Sequence, residues 1–171
     1  MKALIQRVMN AKVTVNGEII STIDQGLCVL IGISSNDTVK DIEYIVRKIL
    51  NIKLYEDENH QKWRKSVVEK QFEVLCFSQF TLYNTWKGNR PDFHLAMPGE
   101  KSKDFYEKFI QKLKEAYLSD KIKDGQFGAY MQVHIQNDGP VTFEIESPTI
   151  VIKEKTKKQI NSNKDSQCDE K

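Results

Sequence analysis

The sequence is poor in the residues that mark the commonest special chemistries. It has three cysteines, Cys28, Cys76 and Cys168, and none forms the close pairs that make zinc sites or a secreted disulfide framework. Cys28 and Cys76 lie in apolar runs and read as core thiols. The three histidines, His60, His94 and His134, stand singly, with no second His or Cys spaced to share a helical or strand face. Neither a metal nor a cofactor is expected. Glycine-rich phosphate loops are missing too: neither GxxxxGK[ST] nor GxGxxG occurs. The longest near-apolar run, Leu27 to Ile33, is far short of the roughly 20 residues a membrane span needs. The opening MKALIQRVMNAK breaks any signal-peptide core with Arg7 and Lys12. A cytoplasmic protein without a membrane partner is the expectation.

An excess of one charge is also lacking. Lys and Arg total 26 against 24 acids. The last 19 residues, KEKTKKQINSNKDSQCDEK, contain six Lys and four acids, which leaves 20 of each sign in positions 1–152. That end segment has one apolar side chain besides Cys168 and cannot bury a core, so residues 153–171 are expected to be a disordered Lys-rich tail. With 171 residues in all, and about 150 per domain as a guide, residues 1–152 should form a single domain.

What is present is mostly strand. Ala11–Val15 and Glu18–Thr22 flank Asn16-Gly17, the pair a two-residue type I′ hairpin turn favours. Leu27–Ile33 predicts a buried strand, and Ile52–Tyr55 a short one before a polar turn at Asp57–Gln61. Asp37 is placed to cap a helix whose stripe is Val39, Ile42, Ile45, Val46, Ile49 and Leu50. Phe72–Tyr83 predicts a long strand bending near Ser78. A second helix is expected from about Ser102 to Leu118 on Phe105, Phe109, Ile110, Leu113 and Tyr117. Met131–Gln136 and Val141–Glu146 read as two closing strands around the turn Asn137-Asp138-Gly139-Pro140. The expected class is α/β: a curved mixed sheet, barrel-like, covered by two main helices.

Two chemistries stay open on residue types alone. Ser78, Asp92 and His94 permit a serine-type hydrolase of small esters, although Phe77-Ser78-Gln79 lacks the glycines of a nucleophile elbow. Lys153, Lys155, Lys157 and Lys158 permit a nucleic-acid-binding tail. A third reading comes from several segments in order: Gln6-Arg7-Val8, Ser78-Gln79-Phe80-Thr81-Leu82, Lys87-Gly88, Arg90-Pro91-Asp92-Phe93, Phe127-Gly128-Ala129 with Met131-Gln132-Val133, and Asn137-Asp138-Gly139-Pro140-Val141-Thr142. Together they resemble the D-aminoacyl-tRNA deacylase family over about residues 1–148.

The resemblance implies a homodimer whose active site lies at the subunit interface. It also implies hydrolysis of the ester between a D-amino acid, or glycine, and the terminal ribose of tRNA. Ser78, Gln79, Phe80 and Thr81 would line the pocket for the terminal adenosine and the ester, with Met131 nearby and main-chain N–H groups at Phe80 and Thr81 facing the oxyanion. Gly139-Pro140, held cis, would be a main-chain filter of chirality inserted from the other subunit, and Arg7 would orient it. The substrate's own 2′-hydroxyl would assist, so no side-chain nucleophile is required. Lys87 and Arg90 would meet phosphates. The related deacylases that carry a trans Gly-Pro differ at both motifs, and Phe80 with Val141-Thr142 matches the D-specific branch.

Overall fold

In the computed structural model, which describes residues 1–148, a 14-residue strand, β1 (Lys2–Val15), is the spine of a six-stranded sheet. Its first half lies between β3 (Gly26–Gly32) and β8 (Gln132–Glu146), and its second half between β2 (Glu18–Ile23) and β8. The Asn16-Gly17 turn joins β1 to β2 with positive φ at both residues, 52° and 85°, as a type I′ turn requires. β3 then pairs in parallel with β4 (Glu73–Ser78), and β4 with β7 (Ile122–Asp124). The sheet curls until its far edges meet, where the Ser21 hydroxyl on β2 donates to the Asp124 carbonyl on β7 at 2.5 Å. The result is a nearly closed barrel.

The helices cover one face. In α1 (Val39–Asn51), Ile42, Ile45, Val46, Ile49 and Leu50 are buried as the stripe predicts, while Val39 stays exposed. α2 (Gly99–Ala116) buries Tyr106, Phe109, Ile110 and Leu113, and a Lys112–Glu43 ion pair at 3.2 Å ties the helices together. Alternation along β3 and β4 builds two cores. Leu27, Val29, Ile31, Val74 and Cys76 face the helices, whereas Cys28, Leu75 and Phe77 fill the barrel with Val8, Val13 and Ile23. Each large aliphatic side chain so buried contributes about 1.5–3 kcal/mol. Both described cysteines are fully buried and unpaired; burial pushes the Cys28 thiol up to about 12 and that of Cys76 well above its ordinary value.

Several expectations are corrected. The cap of α1 is Thr38, whose N–H donates to the Asp41 carboxylate at 2.8 Å; Asp37 instead accepts from the Ser34 N–H and the Met1 ammonium. Ile52–Tyr55 forms no strand: it meets Lys65 in a single bridge, where the Leu54 and Tyr55 N–H groups both donate to the Lys65 carbonyl, and the contact does not extend into a ladder. The expected strand Phe72–Tyr83 stops at Ser78, and Phe80–Leu82 coils into a 3-10 turn. α2 starts three residues early, at Gly99, and ends at Ala116. Met131–Gln136 and Val141–Glu146 are not a hairpin. They are two parts of β8, both paired to β1, with Asp138–Val141 looped out opposite Arg7 between the pairs Gln6–Thr142 and Val8–Asn137. Residues 153–171, with Cys168, lie outside the described residues.

Candidate active site

Ser78 ends β4 beside Ile31 of β3, and there the chain leaves the sheet. The Gln79 N–H still donates to the Ile31 carbonyl at 2.7 Å, and the turn closes with Leu82 N–H to Gln79 and Tyr83 N–H to Phe80. The N–H groups of Phe80 and Thr81 come before the first of these bonds, so the turn leaves them as unused donors. Phe80 borders a cleft of about 700 Å³ lined also by Ser78, Gln79, Phe93, Met131 and the start of α2 at Gly99 and Ser102, and Thr81 lies in the turn beside it. Phe77 and Met131 form its inner wall and also stopper the barrel core. Phe80 is exposed and packs edge-on against Phe93, ring centroids 5.0 Å apart.

Thr81 is occupied, since its hydroxyl accepts from the Gln79 side-chain amide at 2.6 Å. Asp92 and His94 do pair, Nδ1 to Oδ1 at 2.7 Å, but Asp92 is also bound by Lys87. The Lys87 ammonium, and after it the His94 N–H groups, hold the Asp92 carboxyl well below the usual carboxylate range. Among the described residues the Ser78 hydroxyl has no hydrogen bond to an imidazole, so the arrangement supplies no general base for a serine nucleophile.

Gly139 and Pro140 lie elsewhere in the chain. Both are exposed, their peptide bond is cis, and they border a second, smaller cleft of about 410 Å³ with Arg7, Tyr55, Trp63 and Phe143. The two clefts share no lining residue. β1 explains the place of Arg7: it follows Ala3 and Ile5 on the face turned to the helices, in unbroken register with β3, while β8 loops out Asp138–Val141 opposite this residue. Its guanidinium lies about 6 Å from the rings of Tyr55 and Trp63, donates to the Leu54 carbonyl and forms an ion pair with Asp138 at 2.8 Å. Asn137 braces the loop from within, accepting from the Val141 N–H and donating to the Thr142 hydroxyl, each at 3.0 Å.

With this geometry in hand, comparison with known proteins settles the family. The family model described as D-Tyr-tRNA(Tyr) deacylase matches residues 4–146. The chain belongs to this family. It is 62% identical over 148 residues to D-aminoacyl-tRNA deacylase 1 of Bos taurus and 61% identical to that of Homo sapiens, covering 86% of this chain and 71% of each relative. A solved structure of the c-Myc DNA unwinding element binding protein is 61% identical, with a TM-score of 0.84, over 86% of this chain and 99% of the other.

Within this family member, the structure brings Ser78, Gln79, Phe80 and Met131 to one cleft, with Thr81 in the adjoining turn. Arg7 joins Gly139 and Pro140 at the other. Lys87 and Arg90 line neither. They sit opposite each other on a small ribbon of β5 (Thr85–Lys87) and β6 (Arg90–Asp92) just before Phe93. Sequence reasoning missed Phe93, the highly exposed Tyr130 and the start of α2 as cleft walls, and Tyr55 and Trp63 as the aromatic bed of Arg7. The one available signal for Trp63 was a lone indole in a polar stretch.

Proposed function

We propose that the protein hydrolyses the ester of D-aminoacyl-tRNA, releasing the D-amino acid and tRNA, and that glycyl-tRNA is a second substrate. Family membership carries the reaction, and the Phe80–Leu82 turn carries its location. A cleft of about 700 Å³ falls in the range of about 300–1,000 Å³ typical of small-ligand sites; it would take the terminal adenosine and the attached aminoacyl group. Water attacks the ester carbonyl, assisted by the ribose 2′-hydroxyl. The N–H groups of Phe80 and Thr81 face the developing oxyanion, each such donor typically contributing about 2.7–4 kcal/mol in acyl transfer, and the ribose 3′-oxygen departs.

Chirality is read by Gly139-Pro140. A pocket that merely favours one side chain discriminates by only about 1–3 kcal/mol per methylene, too little to spare an excess of L-esters. A rigid main-chain wall where an L side chain must project excludes it by clash, whatever the residue. Because the pair lies away from the Phe80 cleft of its own chain and projects to solvent, the filter acts in a homodimer, each subunit's loop entering the other's cleft. Bracing by Arg7, Asp138 and Asn137 supports this reading, since a wall must hold its position. The action is cytoplasmic, and no described helix is long and apolar enough to cross a membrane.

The test is deacylation of D-tyrosyl-tRNA and L-tyrosyl-tRNA side by side. Rapid loss of the D-ester with the L-ester spared is expected, and equal hydrolysis of both would overturn the reading. Ser78→Ala should retain substantial turnover, and a serine-directed phosphonate should leave the protein unlabelled; the serine-hydrolase alternative requires the opposite of both. Removal of residues 153–171 should spare deacylation, contrary to a function residing in the tail.

A further inference from the structure

The β5–β6 ribbon has no role in the mechanism beyond its two cations, yet it carries the most exposed indole of the protein. Trp86 is 68% exposed and sits opposite Pro91, between Thr85–Asp92 and Lys87–Arg90, with Gly88-Asn89 at the tip. An indole held in water on a free ribbon contributes nothing to the core. Both feet of the ribbon are fixed at the rim of the Phe80 cleft. The Asn84 side chain donates to the Thr81 carbonyl at 2.7 Å, and Phe93, next after β6, is the ring packed on Phe80. Trp86 pairs two residues before Phe93, which puts it about 7 Å from that foot at the rise of a strand. Lys87 and Asp92 pin the strands together, while Arg90 is exposed and makes no ion pair among the described residues.

We infer that this ribbon holds the unpaired nucleotides just 5′ of the terminal adenosine, with the Trp86 ring stacked on a base and Arg90 against the adjoining phosphate. The inference rests on the Phe80 cleft being the site of that adenosine. Every base offers a π-face, so an indole platform with a neighbouring cation grips a single strand without reading its sequence. A protein partner fits the ribbon poorly, because the indole is flanked by cations and a hydrated turn instead of a continuous apolar patch.

Stacking on one aromatic ring is typically worth about 1–3 kcal/mol per base, so Trp86→Ala should raise KM for D-tyrosyl-tRNA at least about 5-fold with kcat within twofold. Trp86→Phe should restore most of the loss. With D-tyrosyl-adenosine, which lacks the upstream nucleotides, the KM difference between Trp86→Ala and the unaltered protein should vanish. Equal KM shifts on both substrates, or none on the tRNA, overturn the inference. A second measurement does not depend on turnover. The chain has two tryptophans, so in Trp63→Phe the fluorescence reports Trp86 alone. Quenching by a CCA trinucleotide is expected, and its absence, or equal quenching by a Trp-rich peptide, counts against a nucleic-acid platform. Failure of the unaltered protein to deacylate D-tyrosyl-tRNA would strike the proposed function instead, and the quenching would still decide the ribbon.

Discussion

Replacing Gly139 by Ala probes the proposed chirality filter at a position that resists a side chain. Gly139 has φ +112°, in the region L side chains avoid, and a Cβ there would lie 2.9 Å from Val141 Cγ2 and 3.1 Å from Arg7 Nη2. A non-glycine residue in such a conformation costs about 1–3 kcal/mol, and neither neighbour retreats freely, because Val141 is tied to Asn137 and Arg7 to Asp138. The loop is exposed and the ladder is paired on both sides of it, Gln6–Thr142 and Val8–Asn137. The strain should therefore displace the loop and leave the barrel folded. If the loop must regain its place in the transition state, about 1–3 kcal/mol becomes a loss of about 5–150-fold in kcat/KM. The assay is deacylation of D-tyrosyl-tRNA, with the far-ultraviolet spectrum and sedimentation confirming a folded assembly. Gly17→Ala is the matched control. Its φ of +85° imposes comparable strain, but nothing lies within 4 Å of the new methyl and the turn is remote from both clefts. Wild-type rates for a folded Gly139→Ala, or equal losses in the two variants, would refute the filter's placement.

Two further perturbations test the surroundings. A Cβ on Gly125 would meet Met131 Sδ at 2.9 Å and Phe77 Cβ at 3.2 Å, so Gly125→Ala should push Met131 into the cleft and raise KM for D-tyrosyl-tRNA. The added effect should shrink in a Met131→Ala background, a coupling of about 0.5–3 kcal/mol by double-mutant cycle, whereas strict additivity would contradict the contact. Asp124 accepts from the Tyr106 hydroxyl at 2.5 Å, and burial, outweighing its hydrogen bonds, raises its carboxyl above the ordinary value. The native state thus holds this proton more tightly than the unfolded chain. Its contribution to stability is fully present below the ordinary Asp pKa of about 3.9 and is lost as pH rises through the higher folded value. Asp124→Asn should therefore gain urea stability relative to the unaltered protein between pH 4 and pH 7, and a pH-independent difference would refute the shift.

The readable part of the fold was the part governed by local pattern. The i, i+3, i+4 stripe of α1 and the Asn16-Gly17 turn were legible because each is decided within a few residues. β1 was half-read, since Ala3 and Ile5 face the helices and Val8 faces the barrel core, so its first part is buried on both sides and lacks a polar–apolar alternation. Residues 52–55 have strand composition, but Arg64 and Lys65 meet them in one bridge and not a ladder, which composition does not reveal. Phe72–Tyr83 looked like one strand because Phe80, Thr81 and Leu82 are good strand residues. What ends the strand is the turn stacked on β3 through the Gln79–Ile31 bond, a tertiary contact.

The same distinction governs the site. Each motif was visible as a string, but motif strings do not tell which residues share a cleft. Read as a hairpin turn, Asn137-Asp138-Gly139-Pro140 would need only its glycine and proline. As a loop extruded from a strand whose two parts keep the same partner, it needs every polar residue it has. Asn137 accepts from the Val141 N–H that the ladder leaves free and donates to the Thr142 hydroxyl, and Asp138 pairs with the Arg7 guanidinium. Arg7 in turn needs a bed that keeps it from solvent, with Tyr55 from the segment that failed as a strand and Trp63 from the turn that follows it. A regular strand at 52–55 would have turned alternate side chains away from β1. The irregular 52–55 segment and the loop extruded from β8 therefore meet at Arg7, whose bonds to the Leu54 carbonyl and the Asp138 carboxylate join the two.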